Sequence, residues 1–456
     1  MRVGGCHRPA YGRDGRSPRW GAGDTGDTQM AVRAFGIALS IAVGIGATAV
    51  ADAAVGADPG TVAGETGYPV PSTGAYSVTG RGWGHGLGMS QHGAQGAALT
   101  GATGTAILNF YYPTTVTARI PSGPIRVLLV EFGGPAVTVT GGRGLAVRDG
   151  ATGRVYPLGA APFWRVALTG TRYRVQRYLD ARRGWANTAL AGHPDFAGPL
   201  RFQGSVALRA VLPAGGSWLL DGTLTAVRTT PPTAAGGQLA VINTVPMEAY
   251  VAAVTVRESP ASWRPAALQA QAVAARTYAA YRRRGAAAAG ASSDLCDTTS
   301  CQVYRGRAQY NKAGTLVGGL PGSVTAAAAA TAGQIRTYRG RPIYAAYSSS
   351  NGGWTVADTK VGYLPARPDP YDALDGNHMH RWTATLPATA LERCFPALGA
   401  LTRLVVTARD GNGEWGGRLQ TLRLEGARAG VATRVAITGV QLRFCAKLRS
   451  TWLTFN

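Results

Sequence analysis

The 456-residue sequence predicts an α+β fold: a mixed β-sheet domain with a few packed helices and a β-rich accessory region. Three observations carry this. Short β-type runs separated by turns fill the stretch from Ile125 to about Thr230. Two helical segments follow in close succession between Pro246 and Arg284. The tail returns to β-type runs at Arg403–Thr407, Leu419–Leu424, Thr433–Val440 and Trp452–Phe455.

In chain order, residues 1–29 are rich in Gly, Arg and Asp without period and read as a non-native N-terminal extension. Residues 30–53 have a charged start at Arg33, an apolar run Ala34–Val50 and an Ala51-Asp52-Ala53 cleavage pattern, which predicts a signal peptide. Residues 54–75 read as a Gly/Pro/Thr linker. A segment at 76–124 follows, then the β-rich region 125–230, then a main domain 231–456. Ala94–Phe110 is small and apolar enough for one helix ending at Tyr111-Tyr112-Pro113. Pro246 with Glu248 starts a further helix, whose stripe is Met247, Val251 and Val254. That helix stops near Glu258, because Pro260 disfavours helix just before itself. The next opens near Pro265.

The formal net charge is +23, nearly all of it arginine, with lysine only at 312, 360 and 447. For an exported protein such charge suits anionic wall polymers or lipid head groups, nucleic acid being disfavoured for want of an aromatic-plus-basic module, and much of it also reads as plain solvated surface. Beyond Cys6, the cysteines Cys296, Cys301, Cys394 and Cys445 form an even set, which favours two disulfides. Three pairings are open. The short spacing suggests Cys296–Cys301 and leaves Cys394–Cys445. Zinc is the rival use of such cysteines, but no histidine lies near the first pair in sequence, and no metal or other cofactor is expected.

Gly80-Arg81-Gly82-Trp83-Gly84-His85-Gly86-Leu87-Gly88-Met89-Ser90-Gln91 sets five glycines around one histidine, with serine and glutamine next. Such a loop admits positive φ and close approach of a ligand, but a plain turn with a satisfied His reads equally well. Glu258 is the carboxylate of most chemical interest, at a helix end where partial desolvation would raise its pKa for general acid work. The plain alternative is a helix-end acid paired with Arg257 or Arg264. Glu248 lies ten residues back on the same helix, roughly 15 Å away. That exceeds the about 5–9.5 Å between the two carboxyls of a conventional glycosidase. A second acid would have to come from Asp297, Asp358, Asp369 or Asp372, or be unnecessary. Tyr347-Ser348-Ser349-Ser350-Asn351-Gly352-Gly353 reads as a sugar-contacting loop or a turn, and His378 with His380 as loop surface.

Together these pieces resemble the SpoIID/LytB family of bacterial cell-wall proteins. The resemblance rests on Val245-Pro-Met-Glu-Ala-Tyr250, Glu258-Ser-Pro260 and Ala267-Leu-Gln-Ala-Gln-Ala-Val-Ala-Ala-Arg-Thr-Tyr278. Cys296–Tyr304, Ser348–Thr355, Tyr363-Leu364, Asp369-Pro-Tyr-Asp372 and Gly439–Trp452 are similar to its later motifs, and Gly80–Ala94 with Tyr111-Tyr112-Pro113 to its GHGxGMSQ…YYP signature. In many members that signature is C-terminal, so the order here looks circularly permuted, which expects Ser77–Gly80 beside Trp452–Phe455. Ser348 stands where many members have His.

The resemblance implies a secreted, wall-associated lytic transglycosylase. Such an enzyme cleaves MurNAc–GlcNAc bonds of peptidoglycan glycan strands and leaves 1,6-anhydroMurNAc ends. Carried over by motif, Glu258 is the catalytic acid and base, and His85, Ser90, Gln91, Arg276 and Ser349, Ser350, Asn351, Gly352 and Gly353 line the sugar groove. The family also implies an alternative, a non-catalytic wall-binding protein that modifies a cell-wall amidase.

Overall fold

A computed structural model describes residues 64–229, 239–374 and 376–456. The expected extension, signal peptide and first part of the linker lie outside the described residues. Among those described the fold is mixed α+β, with seven α-helices: α1 Gln91–Leu99, α2 Gly104–Tyr111, α3 Met247–Glu258, α4 Pro265–Ala288, α5 Gly322–Ala330, α6 Ala388–Cys394 and α7 Gly439–Cys445. None is long and apolar enough to cross a membrane.

The strands of the β-rich region build two large sheets of seven and eight strands. The seven-stranded sheet does not stop at residue 230. Strand Leu239–Pro246 pairs antiparallel with both Thr223–Arg228 and Pro124–Gly134. The expected boundary between an accessory region and a main domain therefore runs through one sheet. The reason is visible in the core: Val127, Leu129, Leu224 and Val241 from the sheet pack in one cluster with Tyr250 and Val254 of α3 and Ala272 and Ala275 of α4. A strand that is apolar on the covered face cannot leave that sheet without exposing it.

Strand Leu239–Pro246 runs directly into α3, and this junction sets where Glu258 falls. Pro246, at φ −56°, hands the chain to the first helical turn, and Ser259 is already extended at φ −140°. Pro260 follows, and Arg264 and Pro265 open α4. The two helices form from the proline punctuation read in the sequence, and Glu258 is left at the last helical position of α3.

The expected single helix over Ala94–Phe110 is two. Gly101 takes φ +91°, a region that stops an L-residue helix, and the Thr103 side chain caps the second helix by accepting from Ala106 N–H. Part of the expected linker is also ordered: Thr66–Pro69 is a strand paired with Ala400–Arg409. The C-terminal strands Ala400–Arg409, Leu419–Arg428 and Val431–Thr438 form that same sheet, in agreement with the β-type tail. Cys394–Cys445 joins α6 to α7, and Cys296–Cys301 closes a five-residue step after α4.

Strand Ala75–Arg81 sits between Arg381–Pro387 and Leu453–Phe455, with Val78, Thr79 and Gly80 opposite Phe455, Thr454 and Leu453. That is the adjacency a permuted order expects. It delivers the glycine loop from the C-terminal strand straight onto the helix α1 that faces Glu258.

Candidate active site

Glu258, Tyr347 and His85 line one cavity of about 240 Å³ together with Tyr278, Thr299, Ser300, Cys301, Val303, Tyr344 and Ala346. Glu258 is the single carboxylate on its wall. The side chain is partly open to the cavity and has no ion pair among the described residues, so neither Arg257 nor Arg264 neutralises it. Its Oε1 accepts the Val303 N–H at 3.1 Å, and its Oε2 accepts Gln91 Nε2 at 3.2 Å. Burial raises its pKa above the ordinary glutamate value, against the lowering effect of the Val303, Gln91 and Tyr347 hydrogen bonds.

Each of these partners is itself held. The Gln91 amide also donates to Gln271 Oε1 at 3.4 Å, which fixes its orientation. Tyr347 hydroxyl accepts from Gln302 Nε2 at 2.8 Å, and Tyr250 hydroxyl donates to Gln302 Oε1 at 2.9 Å. Val303 follows the Cys296–Cys301 loop, whose Thr299 and Ser300 also line the cavity. His85 uses both ring nitrogens: Nδ1 accepts the Leu87 N–H at 2.9 Å, and the ring donates to the Tyr347 carbonyl. Its crowded surroundings and the charges of Arg418 and Arg443 hold the imidazole below its ordinary pKa, although one edge of the ring is open to solvent. His85 thus braces two loops at the cavity rim.

The structure separates the residues expected to line a sugar groove. His85 lines the cavity, whereas Gln91 is buried behind it with its amide committed to Glu258 and Gln271. Ser90, Ser350 and Asn351 do not line it: all three are fully buried and bonded to Asp372 or Asp369. Ser349 supplies its carbonyl to His92 N–H, and Gly352 and Gly353 fold back on Arg81 and Asp369. Arg276 is fully buried away from the cavity. Its guanidinium meets the Glu248 carboxylate and the Gln334 and Ala328 carbonyls, so its charge is satisfied internally. His380 is not plain loop surface either, because its Nδ1 lies 2.7 Å from Asp372.

Sequence reading missed Tyr347, Gln302, Gln271 and the Val303 N–H. All three side chains sit inside segments quoted above for other residues, and a backbone donor leaves no mark in sequence. The close packing of the loop is itself testable. Gly88 has φ +65°, and a Cβ there would collide with the Ala346 carbonyl and lie 2.9 Å from the Tyr112 ring. Gly88→Ala is expected to cost about 1–3 kcal/mol in urea unfolding and to reduce activity by prising Met89 from Tyr347.

The fold and site define an α+β protein with one desolvated carboxyl at a helix end, set in a polar cleft. Residues 235–338 match the family model described as stage II sporulation protein (SpoIID), so this segment is similar to that family. The chain is 33% identical over 159 residues to stage II sporulation protein D of Bacillus subtilis (strain 168), covering 33% of this chain and 45% of that protein. For the protein of the same name from Bacillus amyloliquefaciens the identity is 30% over 183 residues, covering 37% and 51%. An amidase enhancer of Bacillus subtilis is 36% identical over 144 residues, 30% of this chain and 17% of that protein. The chain thus spans about half the length of the sporulation proteins it matches.

Proposed function

We propose that the chain acts at the bacterial cell wall as a secreted peptidoglycan lytic transglycosylase with Glu258 as its single acid and base. The observation that supports this most is the lone carboxyl in the cavity, with a raised pKa. A hydrolase of the two-carboxylate type needs a second acid within about 10 Å to activate water or attack the sugar. A transglycosylase does not, because its nucleophile is the substrate's own hydroxyl.

The steps balance on one proton. Protonated Glu258 donates to the glycosidic oxygen as the bond from C1 of MurNAc breaks, and GlcNAc leaves with a new 4-hydroxyl. The resulting carboxylate takes the proton of the C6 hydroxyl as that oxygen attacks C1 and closes the 1,6-anhydro ring. Glu258 ends protonated, and no water is consumed. The roles of its neighbours follow: Val303 N–H and Gln91 stabilise the transient carboxylate, while burial favours the protonated form over the charged one.

The likeness to an amidase enhancer favours a second reading, a wall-binding protein that acts through an amidase. Incubation of the purified protein with glycan strands separates the two. Release of soluble fragments supports the enzyme; retention on intact strands without release, together with stimulation of an added amidase, supports the binder.

A further inference from the structure

We propose that Asp372 is a positioning residue for the acid, holding Gln91 on Glu258 through Ser90 and the first turn of α1. The proposal rests on the reading of Glu258 as the acid.

Asp372 is fully buried, and its carboxylate gathers donors from three separate segments. Oδ1 accepts from Ser90 Oγ at 2.6 Å, Ser350 Oγ at 3.1 Å and Asn351 N–H at 3.1 Å. Oδ2 accepts from Ser350 Oγ at 2.8 Å, Gly352 N–H at 3.1 Å and Asn377 Nδ2 at 3.3 Å, and lies 2.7 Å from His380 Nδ1. Burial alone would push this carboxyl up. The bonds from His380, Ser90 and Ser350 more than offset it and hold the group ionised.

The link to the acid runs through Ser90. Its single hydroxyl proton goes to Asp372, which leaves its lone pairs to accept the Gly93 N–H at 3.0 Å and cap α1. The backbone of Met89 and Ser90 pairs with Tyr347 and Ser348, and Tyr347 lines the cavity. The residue after the cap is Gln91, whose amide lies on Glu258. One anion therefore sets the start of α1, and the start of α1 sets the Gln91 donor. An amide at 372 would replace one acceptor oxygen by a donor and turn a donor against the surrounding N–H and O–H groups. Asp369 makes a parallel but different link, to Tyr111 and Asn351, and does not touch Ser90.

The test is the titration of Glu258, followed by NMR with carboxyl-labelled glutamate and assigned with Glu258→Gln. Gln91 donates to the charged form, so Gln91→Ala raises the Glu258 pKa further. Ser90→Ala and Asp372→Asn are expected to raise it in the same sense. The double variant S90A/Q91A moves it no further than Gln91→Ala alone. In turnover, Ser90→Ala lowers kcat by up to about a hundredfold with KM within about twofold. Where Asp372→Asn does not fold, Ser90→Ala decides. An unchanged titration in folded Ser90→Ala, or shifts that add in the double variant, overturns the proposal. Because the titration needs no turnover, the two readings fail separately. An inactive wild-type protein with the expected shifts sinks the transglycosylase and leaves the positioning link standing, whereas an active enzyme without them sinks the link alone.

Discussion

Glu258→Gln is expected to abolish glycan cleavage, with a loss of at least 10²–10⁴-fold, the usual contribution of a positioned general acid, and without loss of fold. The stability change has a defined sign. Burial raises the folded-state pKa of Glu258 above its unfolded value. The protonated carboxyl therefore contributes stability that is fully present below the unfolded pKa and is lost as pH rises through the folded one. Glutamine resembles the protonated acid and carries no such pH dependence. Thermal melts should show the variant at least as stable as the wild type at pH 7, with that advantage shrinking as pH falls toward 4. A variant that is inactive because it is unfolded would show the opposite, a lower midpoint at pH 7.

The second large effect concerns Arg276, which the family resemblance sets in the sugar groove and the structure sets elsewhere. Its side chain is fully buried, while the partner carboxylate of Glu248 is partly exposed. Glu248 also accepts the Gly333 N–H at 3.1 Å, tying α3 and α4 to the turn after α5. Glu248→Ala leaves a buried guanidinium without its counter-charge and is expected to cost about 3–5 kcal/mol in urea unfolding. The folded fraction should keep the wild-type KM, because no atom of the pair lines the cavity. A raised KM with unchanged stability would return Arg276 to the substrate groove.

These two residues show what was legible in the chain. The helix that carries Glu258 was readable because Pro246, Pro260 and Pro265 punctuate it, and each acts locally. The break between α1 and α2 was signalled by Gly101 and Thr103, yet the alanine-rich surroundings outweighed it. The strands of the β-rich region are legible locally, but their continuity with the next segment is not, since the sheet pairing at Leu239–Pro246 is long-range and leaves no local mark. At the site, residue type marked polarity but not direction. Ser90, Ser350 and Asn351 look like sugar contacts in sequence, and only the burial of Asp372, some 280 residues from Ser90, turns them inward. A helix-end carboxyl such as Glu258 reads equally as an ion-paired surface acid, and its expected role comes from the motif resemblance; the structure places it on the cavity wall.

The claim that most distinguishes this protein is that its nucleophile belongs to the substrate. Cleavage of glycan strands in ¹⁸O-labelled water measures this directly by mass spectrometry of the new sugar ends. The account predicts anhydro ends, one water lighter than a reducing end and free of label. Label at C1 of a new reducing end would contradict it and assign the cleavage to water.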